Sequence, residues 1–175
     1  VFYYVTLMNE NYAQPSLPAQ VHADVLRGCY RFGRYGEAKG VADVTLLGSG
    51  AILTEVIKAA QQLASEGIAV DVFSVTSWSE VARDGGACEA AALRGDAASM
   101  PFIAQRLGRG NGPVVAATDY VRAVPESVRA YLPEGRRYLT LGTDGFGRSD
   151  TRAALRDFFG VDAASIVRAA RHAMR

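Results

Sequence analysis

Apolar positions along the chain fall into short runs and helical stripes that alternate, and the clearest such pair occupies residues 44–67, VTLLGSGAILTEVIKAAQQLASEG. Val44, Leu46 and Leu47 form a short apolar run of the kind that sits inside a parallel sheet covered on both faces. Gly48 and Gly50 permit backbone angles that a side chain would forbid, and Ser49 stands where a helix cap would accept the first free amides. Ile52, Leu53, Val56, Ile57, Ala60, Leu63 and Ala64 then recur at helical spacing. Glu55, Lys58, Gln61 and Gln62 are assigned to the wet face, and Gly67 supplies the stop. This is one βα unit.

The chain repeats that pattern. Residues 1–8 read as a strand of aromatic and β-branched residues, followed by a loop punctuated by Pro15 and Pro18. One or two helical turns are expected over 21–27, and 28–35 has the alternation of an edge strand with its charges outward. After the organising unit, Val70, Val72, Phe73 and Val75 predict a strand, with a short helix started by Ser77 or Ser79. Arg83-Asp84-Gly85-Gly86 is expected to break that helix before a second piece over 88–93. A third strand is predicted over 113–118, with Pro125 and Glu126 opening the helix after it. A fourth strand covers 138–141. Ser149, Asp150 or Thr151 then caps a helix holding Ala154, Leu155, Phe158 and Phe159, stopped by Gly160. A last helix starts at Asp162 and carries Ile166, Val167, Ala170 and Met174.

Strand–helix alternation of this kind predicts an α/β fold. Its form is a three-layer αβα sandwich around a largely parallel sheet of about five strands, one of them an antiparallel edge strand. With 175 residues and 49% hydrophobic composition, one domain with an ample core is expected: residues 1–27 as a linker strand and loop, 28–175 as the α/β core. A net charge of +1 gives no reason to expect nucleic acid or an anionic membrane as partner. There is no apolar run of about 18 residues and no basic-then-apolar leader, which predicts a soluble chain without an export signal. Cys29 and Cys88 lack Cys-x-x-Cys spacing and read as buried thiols of a reducing compartment, with the cytoplasm as default. Val1 opens directly into a β-rich run, so the chain is expected to be a piece of a longer one whose other domains precede it.

In a parallel sheet, ligands lie beyond the carboxyl ends of the strands. Gly48–Gly50, Thr76–Trp78, Thr118–Tyr120 and Thr143–Ser149 therefore merit attention. Ser49 and Gly50 could hold an anion at a helix start. They fit neither the dinucleotide fingerprint, since Leu53 takes the third glycine position, nor a nucleophile elbow, since Leu47 and Ala51 flank the serine. A hydrolase would also need a base, and His22 and His172 both sit in segments that read as surface. The basic cluster Arg168, Arg171, His172 and Arg175 suits a helix carboxyl end. Residues 144–150 mimic a calcium loop, but Phe146 and Arg148 stand where oxygen ligands are required. The Mg2+–diphosphate signature of thiamine enzymes is absent, because Ala97 follows Gly95-Asp96 and no Asn-Asn comes after it. No metal ligand set is identified.

Four motifs occur in order: Tyr4-Val-Thr-Leu-Met-Asn-Glu-Asn-Tyr12; Val44-Thr-Leu-Leu-Gly-Ser-Gly50; Asp71-Val-Phe-Ser-Val-Thr-Ser77 with Glu80-Val-Ala-Arg-Asp-Gly85; and Leu141-Gly-Thr-Asp-Gly-Phe-Gly-Arg-Ser-Asp150. Together they closely resemble the C-terminal domain of the homodimeric, bacterial-type pyruvate dehydrogenase E1 component, across nearly all 175 residues. The transketolases, whose third domain has the same build, are the wider relatives. The resemblance implies a parent enzyme that uses thiamine diphosphate and Mg2+ to decarboxylate pyruvate and reductively acetylate the lipoyl group of its E2 dihydrolipoyl acyltransferase partner. It places the cofactor between two preceding domains across a dimer interface. No catalytic or cofactor-binding residue is carried onto this chain.

The role expected for the domain is support, packing on its predecessor and its dimer mate through residues 1–12 and the strand ends. A docking or effector loop at Asp144, Phe146, Arg148 and Ser149 is the second possibility, set against a simple tight turn at Gly145 and Gly147 capped by Ser149. The competing reading from another class is a free-standing nucleotide- or anion-binding, or regulatory, α/β module using Ser49, Gly50 and Ser149.

Overall fold

The computed structural model describes residues 2, 10–37, 40–97, 99–108 and 110–175, so the strand expected over 1–8 lies outside the described residues except for the exposed Phe2. Among the described residues, five strands form one sheet: β1 (Cys29–Tyr35), β2 (Val44–Gly48), β3 (Val70–Val75), β4 (Val114–Ala117) and β5 (Tyr138–Leu141). Their order is β1-β3-β2-β4-β5, with β1 antiparallel to β3 and every other pair parallel. The expected architecture, including the single antiparallel edge, is what the chain adopts.

Alternation along the strands feeds two cores. Val44 and Leu46 of β2, Val70 and Val72 of β3, and Val115 and Ala117 of β4 point to one face. There they meet α2 (Leu53–Ser65) and α7 (Ala163–Ala173). Leu47, Phe73, Val75, Val114 and Ala116 point the other way, onto α3 (Trp78–Leu93) and α4 (Phe102–Leu107). Burial on both faces is why β2 reads as an almost unbroken apolar run. Remaining connections include α1 (His22–Leu26), α5 (Ala123–Glu126) and α6 (Arg152–Phe158). Among the described residues no helix is long and apolar enough to cross a membrane.

Four local expectations need correction. The Gly85-Gly86 pair does not break α3, which runs unbroken for 16 residues from its Ser77 cap, whose Oγ accepts the Glu80 amide at 3.2 Å. A Cβ at Gly85 would stand 2.2 Å from Cγ of Tyr131, so this glycine makes room for a ring and α3 can run straight past it. Helix α4 comes from a stretch with no predicted element. Pro125 lies inside a four-residue turn of helix, followed by a short 3-10 turn at Arg129–Tyr131, so no long helix covers β4 from that side. Glu55 lies on the buried face of α2.

The edge strand keeps its arginines outward as expected, and both reach the neighbouring β3. Arg31 Nη2 donates to Asp71 Oδ1 at 2.5 Å, while Arg34 donates from Nε and Nη2 to the two carboxylate oxygens at 2.9 and 3.1 Å. Burial works against ionisation of Asp71, but the hydrogen bonds from Arg34 and Arg31 outweigh it and hold the carboxyl below its ordinary value of 3.8. A depressed carboxyl contributes stability above its unfolded value, and that contribution is lost as pH falls through the lower native value. Asp71→Asn is therefore expected to flatten the fall of the urea midpoint below pH 3.8, relative to the parent. Parallel acid limbs for the two proteins would refute this.

Candidate functional site

The parallel strands β3, β2, β4 and β5 bring four turns to one edge of the sheet. Ser49 leaves β2 extended and buried, and its Oγ donates to Thr118 Oγ1 at 2.8 Å. The same threonine oxygen accepts the Tyr120 amide at 3.2 Å. Ser49 makes no cap bond, and a 3-10 turn at Gly50–Ile52 stands between it and α2. The hydroxyl pair ties the β2 turn to the β4 turn. Gly50 is exposed with φ +55°, and it edges two clefts. One, of about 700 Å³, runs under residues 10–15; the other, of about 360 Å³, is bordered by residues 75–79, Tyr120 and Val124.

The loop after β5 is anchored at one end. Asp144 Oδ1 accepts the Arg122 amide at 2.8 Å and Oδ2 faces Arg122 Nε at 3.2 Å. Phe146 is 96% exposed. The Arg148 guanidinium lies 4.0 Å from the ring centroid of Phe158. Ser149 is exposed and is not the cap; Thr151 is, with Oγ1 accepting the Ala154 amide at 3.3 Å. Asp144 thus ties this loop to Arg122 beyond β4 and Arg148 ties it to α6, whereas Ser49 and Gly50 belong to the β2 side, and the six candidate residues do not converge on one point.

What sequence reasoning missed is a buried ionic cluster beside this edge. Glu55 is 6% exposed; its Oε1 accepts from Lys58 at 2.9 Å and Arg156 at 3.0 Å, and its Oε2 accepts the Ala163 amide at 3.2 Å. Arg156 also donates to the Tyr12 hydroxyl at 3.1 Å, and Tyr12 donates to Glu10 at 2.9 Å. Glu10 in turn pairs with Arg152. The cluster staples residues 10–12, α2, α6 and the start of α7 together. Its one local signal was periodicity: position 55 falls on the stripe of Ile52, Val56, Ala59 and Leu63.

Reactive groups are few. Burial pushes the Cys29 thiol up to about 12, which removes thiolate character at neutral pH. His22 and His172 are exposed, the latter with Nε2 at 2.8 Å from Arg137 Nη2. Among the described residues no group of three or more His, Cys, Asp or Glu side chains stands together to hold a metal ion.

A family model described as the transketolase-like TK C-terminal domain matches residues 28–162. The pyruvate dehydrogenase E1 component of Cupriavidus necator is 46% identical over 165 residues, covering 93% of this chain and 18% of that protein. The same component from Mycobacterium tuberculosis is 45% identical over 95% of this chain, and that from Escherichia coli K12 is 44% identical over 97%. The chain spans 18% to 19% of the length of these relatives. Among solved structures, transketolase from Leishmania mexicana superposes with a TM-score of 0.57 at 19% identity, covering 86% of this chain and 18% of that one. A split-gene transketolase, an inactive beta4 tetramer, gives 0.56 at 21% identity over 81% of this chain and 42% of that chain. These two share the fold.

Proposed function

We propose, from the premise that the chain belongs to the transketolase-like TK C-terminal domain family, that it is the supporting C-terminal domain of a pyruvate dehydrogenase E1 component. The observation that carries this reading is identity of 44% to 46% over 93% to 97% of the chain with relatives bearing that name. The parent would be a cytoplasmic homodimer that decarboxylates pyruvate with thiamine diphosphate and Mg2+ and delivers the acetyl group to the lipoyl arm of E2. Residues 1–27 would form a linker and 28–175 the domain proper.

The site chemistry agrees with a supporting role. The hydroxyls of Ser49 and Thr118, the carboxylates of Asp144 and Glu55 and the guanidinium of Arg156 all bond to one another or to the local backbone. Such groups hold turns in register and are not presented to a reacting molecule. Tyr120, Val121, Phe146 and Phe158 are exposed on the same edge, which suits packing against another part of the parent or its mate.

The test compares this chain with its full-length parent in transfer of acetyl groups from pyruvate to a lipoyl domain. The parent is expected to turn over and the chain alone is not, and acetyl transfer by the chain alone would overturn the reading. A thermal-shift series with thiamine diphosphate and Mg2+, ATP and NAD is expected to leave the Tm of the chain unmoved. A shift with ATP or NAD would favour the nucleotide-binding module instead.

A further inference from the structure

Between the β4 turn and α6 lies a cleft of about 240 Å³. Its floor is apolar, made by Ile52, Leu155, Phe159 and Val161. Two opposite charges stand at its wall, the Asp119 carboxylate from the β4 turn and the Arg148 guanidinium from the loop after β5. They are not within ion-pair distance of each other, and among the described residues neither has a partner of opposite charge; Arg148 rests on the Phe158 ring. The other arginines of the wall are committed, Arg156 to Glu55 and Arg152 to Glu10.

A carboxylate and a guanidinium that border one small cleft without neutralising each other match a ligand carrying both charges. A simple anion would have to face Asp119, and a simple cation would have to face Arg148, each against like charge. We propose that this cleft binds a free apolar α-amino acid as its zwitterion. Asp119 receives the ammonium and Arg148 takes the carboxylate through its planar fork. The aliphatic side chain lies on Leu155, Phe159 and Val161, where burial of apolar surface adds to binding. The volume lies below that of ordinary drug-sized pockets, which limits the ligand to a small molecule. The site is an effector position at the strand-end edge, and its argument uses none of the parent's chemistry.

Equilibrium dialysis of labelled L-leucine against the full-length protein tests it, beside two analogues: 4-methylpentanoate, which lacks the ammonium, and 3-methylbutylamine, which lacks the carboxylate. Leucine is expected to bind saturably, with each analogue weaker by about tenfold or more. Asp119→Asn and Arg148→Gln are each expected to weaken leucine about tenfold. Asp119→Asn should leave 4-methylpentanoate unweakened, since the repelling charge has gone. Both substitutions are at exposed side chains, and an unchanged Tm verifies that the variants fold. Absence of saturable leucine binding at millimolar concentration overturns the proposal. So does equal binding of leucine and 4-methylpentanoate, which would mark a plain anion site, or affinity unchanged in both variants.

Discussion

Glu55→Ala is expected to lower stability by about 3–5 kcal/mol, because it takes the carboxylate partner from the largely buried Arg156 guanidinium and the acceptor from the Ala163 amide. The Arg156 side chain is 17% exposed and loses its carboxylate partner, while the Ala163 amide, at the first turn of α7, loses its acceptor. For a domain of this size, 1 kcal/mol corresponds to about 2–4 °C, so the melting point should fall by about 6–20 °C. Glu55→Leu combined with Arg156→Leu removes both charges and fills the space with apolar volume. The double variant should therefore be less destabilised than Glu55→Ala alone, a non-additivity that a mutant cycle reads directly. Thermal unfolding of the parent, Glu55→Ala, Glu55→Leu, Arg156→Leu and the double variant checks it. A loss below about 1 kcal/mol for Glu55→Ala would put the cluster in the class of ordinary surface pairs.

The cluster also shows where sequence legibility ended. Strands β2 and β4 are readable because a strand buried on both faces must be almost continuously apolar, and α7 because Asp162 caps it, accepting the Ser165 amide at 3.0 Å. Residue type puts Glu55 on the wet face, since a glutamate usually faces water, but the partner that permits its burial lies 101 positions away. Helix α4 has only six residues, too few to display a period, and a proline and a glycine flank it. Its burial is tertiary. Phe102 lies between the guanidinium groups of Arg27 and Arg106, at 3.9 and 5.0 Å, and its amide donates to Asp84 at 2.6 Å. For the candidate site, the sequence points to the strand-end turns and the loop of Arg148, which the parallel strands gather along one edge of the sheet. It could not show that Ser49 turns to Thr118, nor that Asp119 would share a cleft with Arg148, since both depend on how β4 lies against its neighbours.

The glycine pair in α3 gives the second large effect, with opposite signs at adjacent positions. An alanine in a helix interior is worth about 1 kcal/mol over glycine, so both substitutions begin with the same favourable contribution. At Gly86 the new methyl would meet only the Tyr131 hydroxyl at 3.6 Å, an ordinary contact, and Gly86→Ala should stabilise by about 0.5–1 kcal/mol. At Gly85 the methyl would stand 2.2, 2.3 and 2.7 Å from Cγ, Cδ2 and Cδ1 of the same ring. Those atoms belong to the fixed body of a side chain packed on the Trp78, Val81 and Phe102 core, so either the ring or the whole of α3 must move. Overpacking of that severity outweighs the propensity gain, and Gly85→Ala is expected to cost about 3 kcal/mol. Tyr131→Ala alone should also destabilise, by opening a cavity. In the Gly85→Ala background it should cost much less, because the clash goes with the ring. Denaturant midpoints for the four variants decide the matter. If Gly85→Ala and Gly86→Ala move stability in the same direction, the contact with Tyr131 is not what holds residue 85 as glycine.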